Sequence, residues 1–255
     1  MYKFVAMPGH ERSDSDDAHL QLSPTETLHG YDRWSHVYDH GSNPMITATS
    51  WVLDRMALGA ANLDVLELGC GTGRNVWRVL NEGARSYTGI DGSAGMLAVA
   101  SQHNVDARVK FMQADLLSPW TLEKPVDLAL MVLVLEHLPT LDAVAQTLAH
   151  VVKAGGRIRI VDLHPERVAN GTLAHFTEAG TEVWFASVSH HVPTICDVLD
   201  DAGFDVVRRD WLATDALLTG VPQLAKHRGL KVLLDIKGTR RSKPRRRTGE
   251  QAALD

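Results

Sequence analysis

Residues 65–73 read Val-Leu-Glu-Leu-Gly-Cys-Gly-Thr-Gly, a short apolar run broken by three glycines at alternate positions. An acid, Asp91, stands 18 residues beyond Gly73 and closes a second apolar run, Tyr87-Thr88-Gly89-Ile90. A strand that stops in a glycine-rich turn lets a ligand lie close against the backbone. A carboxylate ending the next strand can accept two hydrogen bonds from a ribose diol. The pair predicts a nucleoside cofactor lying across the edge of a parallel sheet.

The segments around this pair alternate between apolar strands and amphipathic helices. The pattern gives strand 64–68, helix 74–82, strand 86–90, helix 93–103, strands 108–113 and 127–134, helix 139–152 and strand 157–163, with Gly155-Gly156 as a helix stop. Such alternation predicts an α/β fold whose parallel sheet is covered on both faces. Upstream, a helix over Thr25–His40 carries Leu28, Tyr31, Trp34 and Tyr38 at helical spacing. A second opens with Asn43 as cap and Pro44 at its first position and runs to Leu58. Residues 164–191 interrupt the alternation and hold a strand near 182–188. Helix 194–202, strand 204–211, helix 213–226 and strand 230–236 follow. An insertion after the fifth strand is placed to cover the C-terminal edge of the sheet, where open α/β folds bind ligands.

Composition narrows the classes. A chain of 255 residues suits one α/β domain with accessory elements. Its longest purely apolar run, Leu128 to Leu135, falls far below the roughly 20 residues of a membrane span. The first 20 residues lack the apolar core of a secretion signal, and two cysteines give no disulfide framework. A reduced, cytoplasmic protein is expected. No His, Cys or carboxylate spacing suggests a metal site. Seven basic residues between Lys237 and Arg247 give residues 237–255 a net charge of +5 against −5 for the whole chain. Such a run reads as a solvated tail rather than a nucleic-acid contact.

The cofactor can be narrowed further. The dinucleotide fingerprint G-x-G-x-x-G/A needs a small residue where helix and strand pack, and here Arg74 occupies that place. Glu67, just before the turn, would repel a pyrophosphate and welcome a cationic amino acid group. Both observations favour S-adenosylmethionine over NAD. Glu67-Leu68-Gly69-Cys70-Gly71-Thr72-Gly73 resembles the first motif of class I S-adenosylmethionine-dependent methyltransferases, and Gly89 through Leu97 resembles the second. Phe111-Met112-Gln113-Ala114-Asp115-Leu116, then Asp127 through Leu138, then Leu148 through Ile160, resemble the third, fourth and fifth. Gly30-Tyr31-Asp32-Arg33-Trp34 is similar to the opening helix of the small-molecule, ubiquinone-biosynthesis-like members.

The resemblance implies a Rossmann-like, seven-stranded, mostly parallel sheet in which only the last strand is antiparallel. It implies that Gly69, Gly71 and Gly73 cradle the methionine portion with Glu67 near its ammonium. Asp91 would grip the ribose, and Asp115 and Leu116 would meet adenine, with Met96 packing on it. Met131 would lie by the methionine portion. Tyr31 is the candidate contact to the cofactor from the lid, and Tyr38 the candidate at the substrate mouth. The family usually has a bulky apolar residue after the second-motif acid, and this chain has Gly92. Adenine packing would then depend on Met96 or on a lid residue.

Placement at strand ends makes His137, His164 and His190 candidate proton acceptors, with His191 a substrate contact. For each, orientation or capping is the competing role. The domain organisation expected is a flexible segment 1–23, a helical lid 24–60, a methyltransferase domain 61–237 with a capping insertion 164–191, and a basic tail 238–255. The expected partner is a small-molecule methyl acceptor modified on oxygen or nitrogen; monomer and homodimer both remain open. Two other functions stand beside this one. One is nucleic-acid methylation, disfavoured because Val134-Leu135-Glu136-His137 replaces the Asn/Asp-Pro-Pro-aromatic segment of amino-directed base enzymes. The other is a scaffold that binds the cofactor without transferring its methyl group.

Overall fold

The structure is a computed structural model, which describes residues 3–5, 19–41 and 43–243. In chain order the elements are β1 (Lys3–Val5), β2 (His19–Leu22), α1 (Thr27–Trp34), α2 (Pro44–Asp54), β3 (Asp64–Leu68), α3 (Val76–Asn81), β4 (Ser86–Asp91), α4 (Ala94–His103), β5 (Val109–Gln113) and β6 (Val126–Val132). There follow α5 (Asp142–Val151), β7 (Val152–Leu163), α6 (Pro165–Ala169), β8 (His175–Glu178), β9 (Thr181–Phe185), β10 (Ser187–Ser189), α7 (Val192–Asp201), β11 (Phe204–Leu212), α8 (Asp215–Gly220) and β12 (Lys231–Arg240).

Seven strands form one sheet in the order β11-β12-β7-β6-β3-β4-β5. β12 runs antiparallel to both of its neighbours, and the remaining pairings are parallel. The expected α/β architecture, with only its last strand reversed, is therefore present. Alternation along β6 divides the core: Leu128, Leu130 and Val132 pack with α2, α3 and α8, whereas Ala129 and Met131 pack with α5 and α7. α2 starts as the sequence predicts, with the Asn43 side chain accepting from the Met45 and Ile46 N–H groups.

Several boundaries differ from the sequence reading. Gly155-Gly156 does not end a helix. α5 already stops at Val151, and the glycines lie inside β7, where pairing with β6 jumps from Val152 to Arg157 and Gly155 takes φ +76°. The helix expected over 25–40 stops as a helix at Trp34 and continues in turns. The segment 1–23 is not wholly loose: β1 pairs antiparallel with β10, and β2 pairs parallel with β9. The insertion thus recruits the N-terminus, and β2-β9-β8 form a small second sheet. Leu22, Trp34, Phe176 and Phe185 make its core. α1 approaches closely because Gly30 has no side chain; a β-carbon there would lie 2.3 Å from Leu22 Cδ1. The tail begins later than residue 238: Gly238–Arg240 belong to β12, and Arg241 pairs with Asp200 at 2.8 Å and Asp205 at 3.0 Å. The rest of the expected tail, 244–255, lies outside the described residues.

Candidate functional site

At the C-terminal end of β3 the chain enters left-handed backbone three times, with φ +67° at Gly69, +53° at Gly71 and +76° at Gly73. Only glycine adopts that region without strain. A β-carbon on Gly71 would point into open space, and that space is the floor of a cavity of about 410 Å³. Asp91, at the end of β4, holds the turn by accepting from the Gly71 N–H at 2.8 Å and the Ser93 N–H at 2.9 Å. Burial pushes its carboxyl pKa up, and these two N–H groups oppose the shift. Glu67 is buried under the turn, accepting from Asn75 Nδ2 at 2.7 Å and the Tyr87 hydroxyl at 2.5 Å. Burial raises its pKa too, against those hydrogen bonds.

The far wall comes from a break in β6. Leu133 has φ +58°, costly for a branched residue, and its N–H bonds to the Val161 carbonyl at 3.1 Å. Buried Asp162 then accepts from the Val134 and Leu135 N–H groups at 2.7 and 2.9 Å. Burial lifts its pKa to about 6, opposed by backbone N–H donors. This turn ends the strand at Val132 rather than at 134 and throws Glu136 and His137 across the sheet edge. His137 Nε2 lies 2.7 Å from the Tyr31 hydroxyl of α1. Burial lowers the His137 pKa to about 4, so the ring is neutral near pH 7. Glu136 accepts from Ser187 Oγ at 2.9 Å. Burial first, and then the charge of Asp162, push its pKa up to about 8.

Of the residues singled out from sequence, Tyr31, Tyr38, Glu67, Gly69, Gly71, Asp91, Gly92, Met96, Asp115, Leu116 and His137 all line this one cavity. Gly73 does not line it; its bare α-carbon instead admits Asn104 and Phe111 behind the turn. Four further expectations are corrected. Met131 pairs in register with Leu68 and points with it into the core between α5 and α7, away from the groove. His164 is buried as the cap of α6: its Nδ1 accepts from the Glu166 N–H at 3.2 Å, and Nε2 faces Asp210 at 3.6 Å. His190 Nε2 lies 2.8 Å from the Leu138 carbonyl, where it braces the loop that carries His137. His191 is exposed at the start of α7. None of these three histidines lines either large cavity.

A second cavity of about 600 Å³ adjoins the first beneath the insertion. Tyr31, Tyr38 and Leu133 line both. Its wall carries the rings of Trp34, His175 and Phe176, and among the described lining residues Glu136 is its one carboxylate, with no Lys or Arg. Sequence reasoning missed Glu136, Leu133 and Leu28. Leu133 sat within the apolar strand signal 127–134, Glu136 lay just past its end with no pattern to mark it, and Leu28 read as one member of a helical stripe. No cluster of three or more metal-binding side chains occurs among the described residues, and no helix there is long and apolar enough to cross a membrane.

Comparison with known proteins agrees with this geometry. Residues 65–156 match the model of a methyltransferase domain family. An uncharacterized methyltransferase of Emericella nidulans is 28% identical over 238 residues, covering 78% of this chain and 82% of that protein. The ubiquinone biosynthesis O-methyltransferase of Xylella fastidiosa is 31% identical over 143 residues, 54% of this chain and 52% of that one. Among solved structures, DhpI in complex with S-adenosylhomocysteine superposes with a TM-score of 0.65 at 24% identity, over 86% of this chain and 98% of that chain.

Proposed function

We propose that this chain is a class I S-adenosylmethionine-dependent methyltransferase that methylates an oxygen or nitrogen of a small aromatic or heterocyclic metabolite held in the second cavity. The observation that carries this reading is the shared wall. Tyr31, Tyr38 and Leu133 line both cavities, so a donor in the first would meet an acceptor in the second. In this reading residues 24–60 act as the lid and 164–191 as the roof of the acceptor chamber.

The residues present suit the donor. Gly71 leaves its floor clear, Asp91 retains lone pairs for a diol, and Glu67 places negative charge under the turn where an ammonium would rest. When bound, S-adenosylmethionine supplies an electrophilic methyl group on a sulfonium. The protein's task is then alignment, which can supply several kcal/mol, about 7 or more in favourable cases. The Tyr31 ring stacks on Phe185 and Trp34, with centroids 4.6 and 5.7 Å away, so it is the hydroxyl rather than a ring face that Tyr31 offers the shared wall. The Tyr31 hydroxyl, on the wall shared by the two cavities, can donate to neutral His137 Nε2 and so keep its oxygen free to accept the hydrogen of an incoming hydroxyl or amine, orienting that group's lone pair. The chamber's rings, the lack of Lys and Arg, and a Glu136 held in its acid form near pH 7 favour an uncharged ring-bearing acceptor.

Incubating the protein with isotopically labelled cofactor and a metabolite extract tests the proposal. Label should enter a small molecule as S-adenosylhomocysteine is released. His137→Ala should lower turnover roughly tenfold, the loss of one orienting hydrogen bond, with a smaller effect on cofactor affinity. His164→Ala should keep turnover and lower the melting temperature instead. Label in nucleic acid, or tight binding with no transfer from any extract, would replace this reading.

A further inference from the structure

Gly92 follows Asp91 at the cavity wall and contributes no side chain. Leu28 of α1 fills the space: a β-carbon built on Gly92 would lie 2.5 Å from Leu28 Cδ2 and 3.0 Å from Cδ1. Leu28 lines the first cavity yet is 41% exposed, and it belongs to none of the apolar clusters. A lone exposed leucine means little by itself; this one overhangs the binding groove beside Asp91.

The helix that carries it is held down by a separate device. One turn on, Asp32 accepts from Ser93 Oγ at 2.7 Å and from the Gly95 N–H at 2.8 Å, both at the start of α4. Gly95 admits the α1 backbone, since a β-carbon there would lie 2.9 Å from the Asp32 carbonyl oxygen and 3.0 Å from its Cα. Two missing side chains and one carboxylate thus seat α1 on the segment that follows Asp91. Tyr31, which lines both cavities, rides on the same helix.

We propose that Leu28 is the apolar wall for the adenine of S-adenosylmethionine, taking the place that Gly92 leaves bare, and that the Asp32 latch makes cofactor binding and assembly of the acceptor chamber a single event. The proposal rests on the reading that the first cavity holds the cofactor's nucleoside. It makes the lid part of the cofactor site, so the cofactor binds before the acceptor.

Calorimetry with S-adenosylhomocysteine on four proteins tests it. Leu28→Ala should weaken binding about tenfold, as expected for losing the burial of one leucine side chain. Gly92 is outside the left-handed region, so a side chain fits its backbone. Leu28→Ala/Gly92→Leu should therefore return affinity to within about threefold of wild type by moving the wall from lid to loop. Hydrogen exchange adds a readout that a merely structural leucine would not move. S-adenosylhomocysteine should protect the amides of Thr27–Trp34 in the wild type and protect them less in the double variant. Wild-type affinity in Leu28→Ala, with binding lost in Asp91→Ala, overturns the role of Leu28 and leaves the groove standing. Unchanged affinity in Asp91→Ala overturns the groove itself. A double variant that melts like wild type but binds as weakly as Leu28→Ala also overturns the proposal.

Discussion

Asp91→Ala is expected to weaken S-adenosylhomocysteine binding by about two orders of magnitude or more. The carboxylate has two tasks in the proposed groove. It already accepts the Gly71 and Ser93 N–H groups, fixing the turn on which the ligand would rest. It would also accept the two hydroxyls of the ribose. Hydrogen bonds to a charged acceptor contribute about 1.5–3 kcal/mol each, so two of them give about 3–6 kcal/mol, or roughly two to four decades in affinity. Asp91→Asn, which keeps one acceptor oxygen and the shape, should fall between. Burial pushes the Asp91 carboxyl above its usual range, so affinity should begin to fall on acidification earlier than for an exposed aspartate. Calorimetric affinity within threefold of wild type in the alanine variant would remove Asp91 from the site.

The elements legible in the sequence were those governed by local chemistry. Alternate glycines after an apolar run announce a turn with little choice of backbone, and the strand-helix alternation leaves few topologies. Asp91, Asp115 and Glu67 could be placed because each ends or follows a strand in a parallel sheet. The histidines could not. His137 and His164 both follow strands, yet one faces the groove and the other caps α6, and the difference lies in the left-handed turn at Leu133. No local signal predicts a positive φ at a leucine; it is imposed by Asp162, in a neighbouring strand far along the chain, gathering the Val134 and Leu135 N–H groups. Met131 failed for a related reason. Its apolar run has no alternation to show which side chains face the groove, and the break after Val132 leaves Met131 on the α5 side. The pairing of β1 and β2 with the insertion is likewise non-local, carried by short segments whose sequence resembles that of any polar terminus.

Glu136→Gln is expected to stabilise the protein in a pH-dependent way, by on the order of 4 kcal/mol near pH 8 and by almost nothing near pH 4. Glu136 is buried at the chamber wall, and its pKa rises from 4.5 to about 8. A folded-state pKa above the unfolded one means that the folded protein binds the extra proton. Glu136's contribution to stability is therefore intact below about pH 4.5 and is lost progressively until pH passes about 8. Glutamine, neutral and of the same shape, carries no such loss. Two neighbours titrate elsewhere. His137 drops from 6.5 to about 4 on burial, so its contribution is lost as pH falls through that window. Asp162 rises from 3.8 to about 6 and is finished titrating above it. Between about pH 6.5 and 8 Glu136 is the one of the three still losing stability, and the difference between wild type and Glu136→Gln isolates it. Denaturant unfolding of both proteins at several pH values measures that difference directly. A gap that stays constant from pH 4 to 8 would mean that Glu136 ionises at its ordinary pKa. The chamber would then present a full negative charge to its acceptor, and an amine cation would replace the uncharged ring as the favoured substrate.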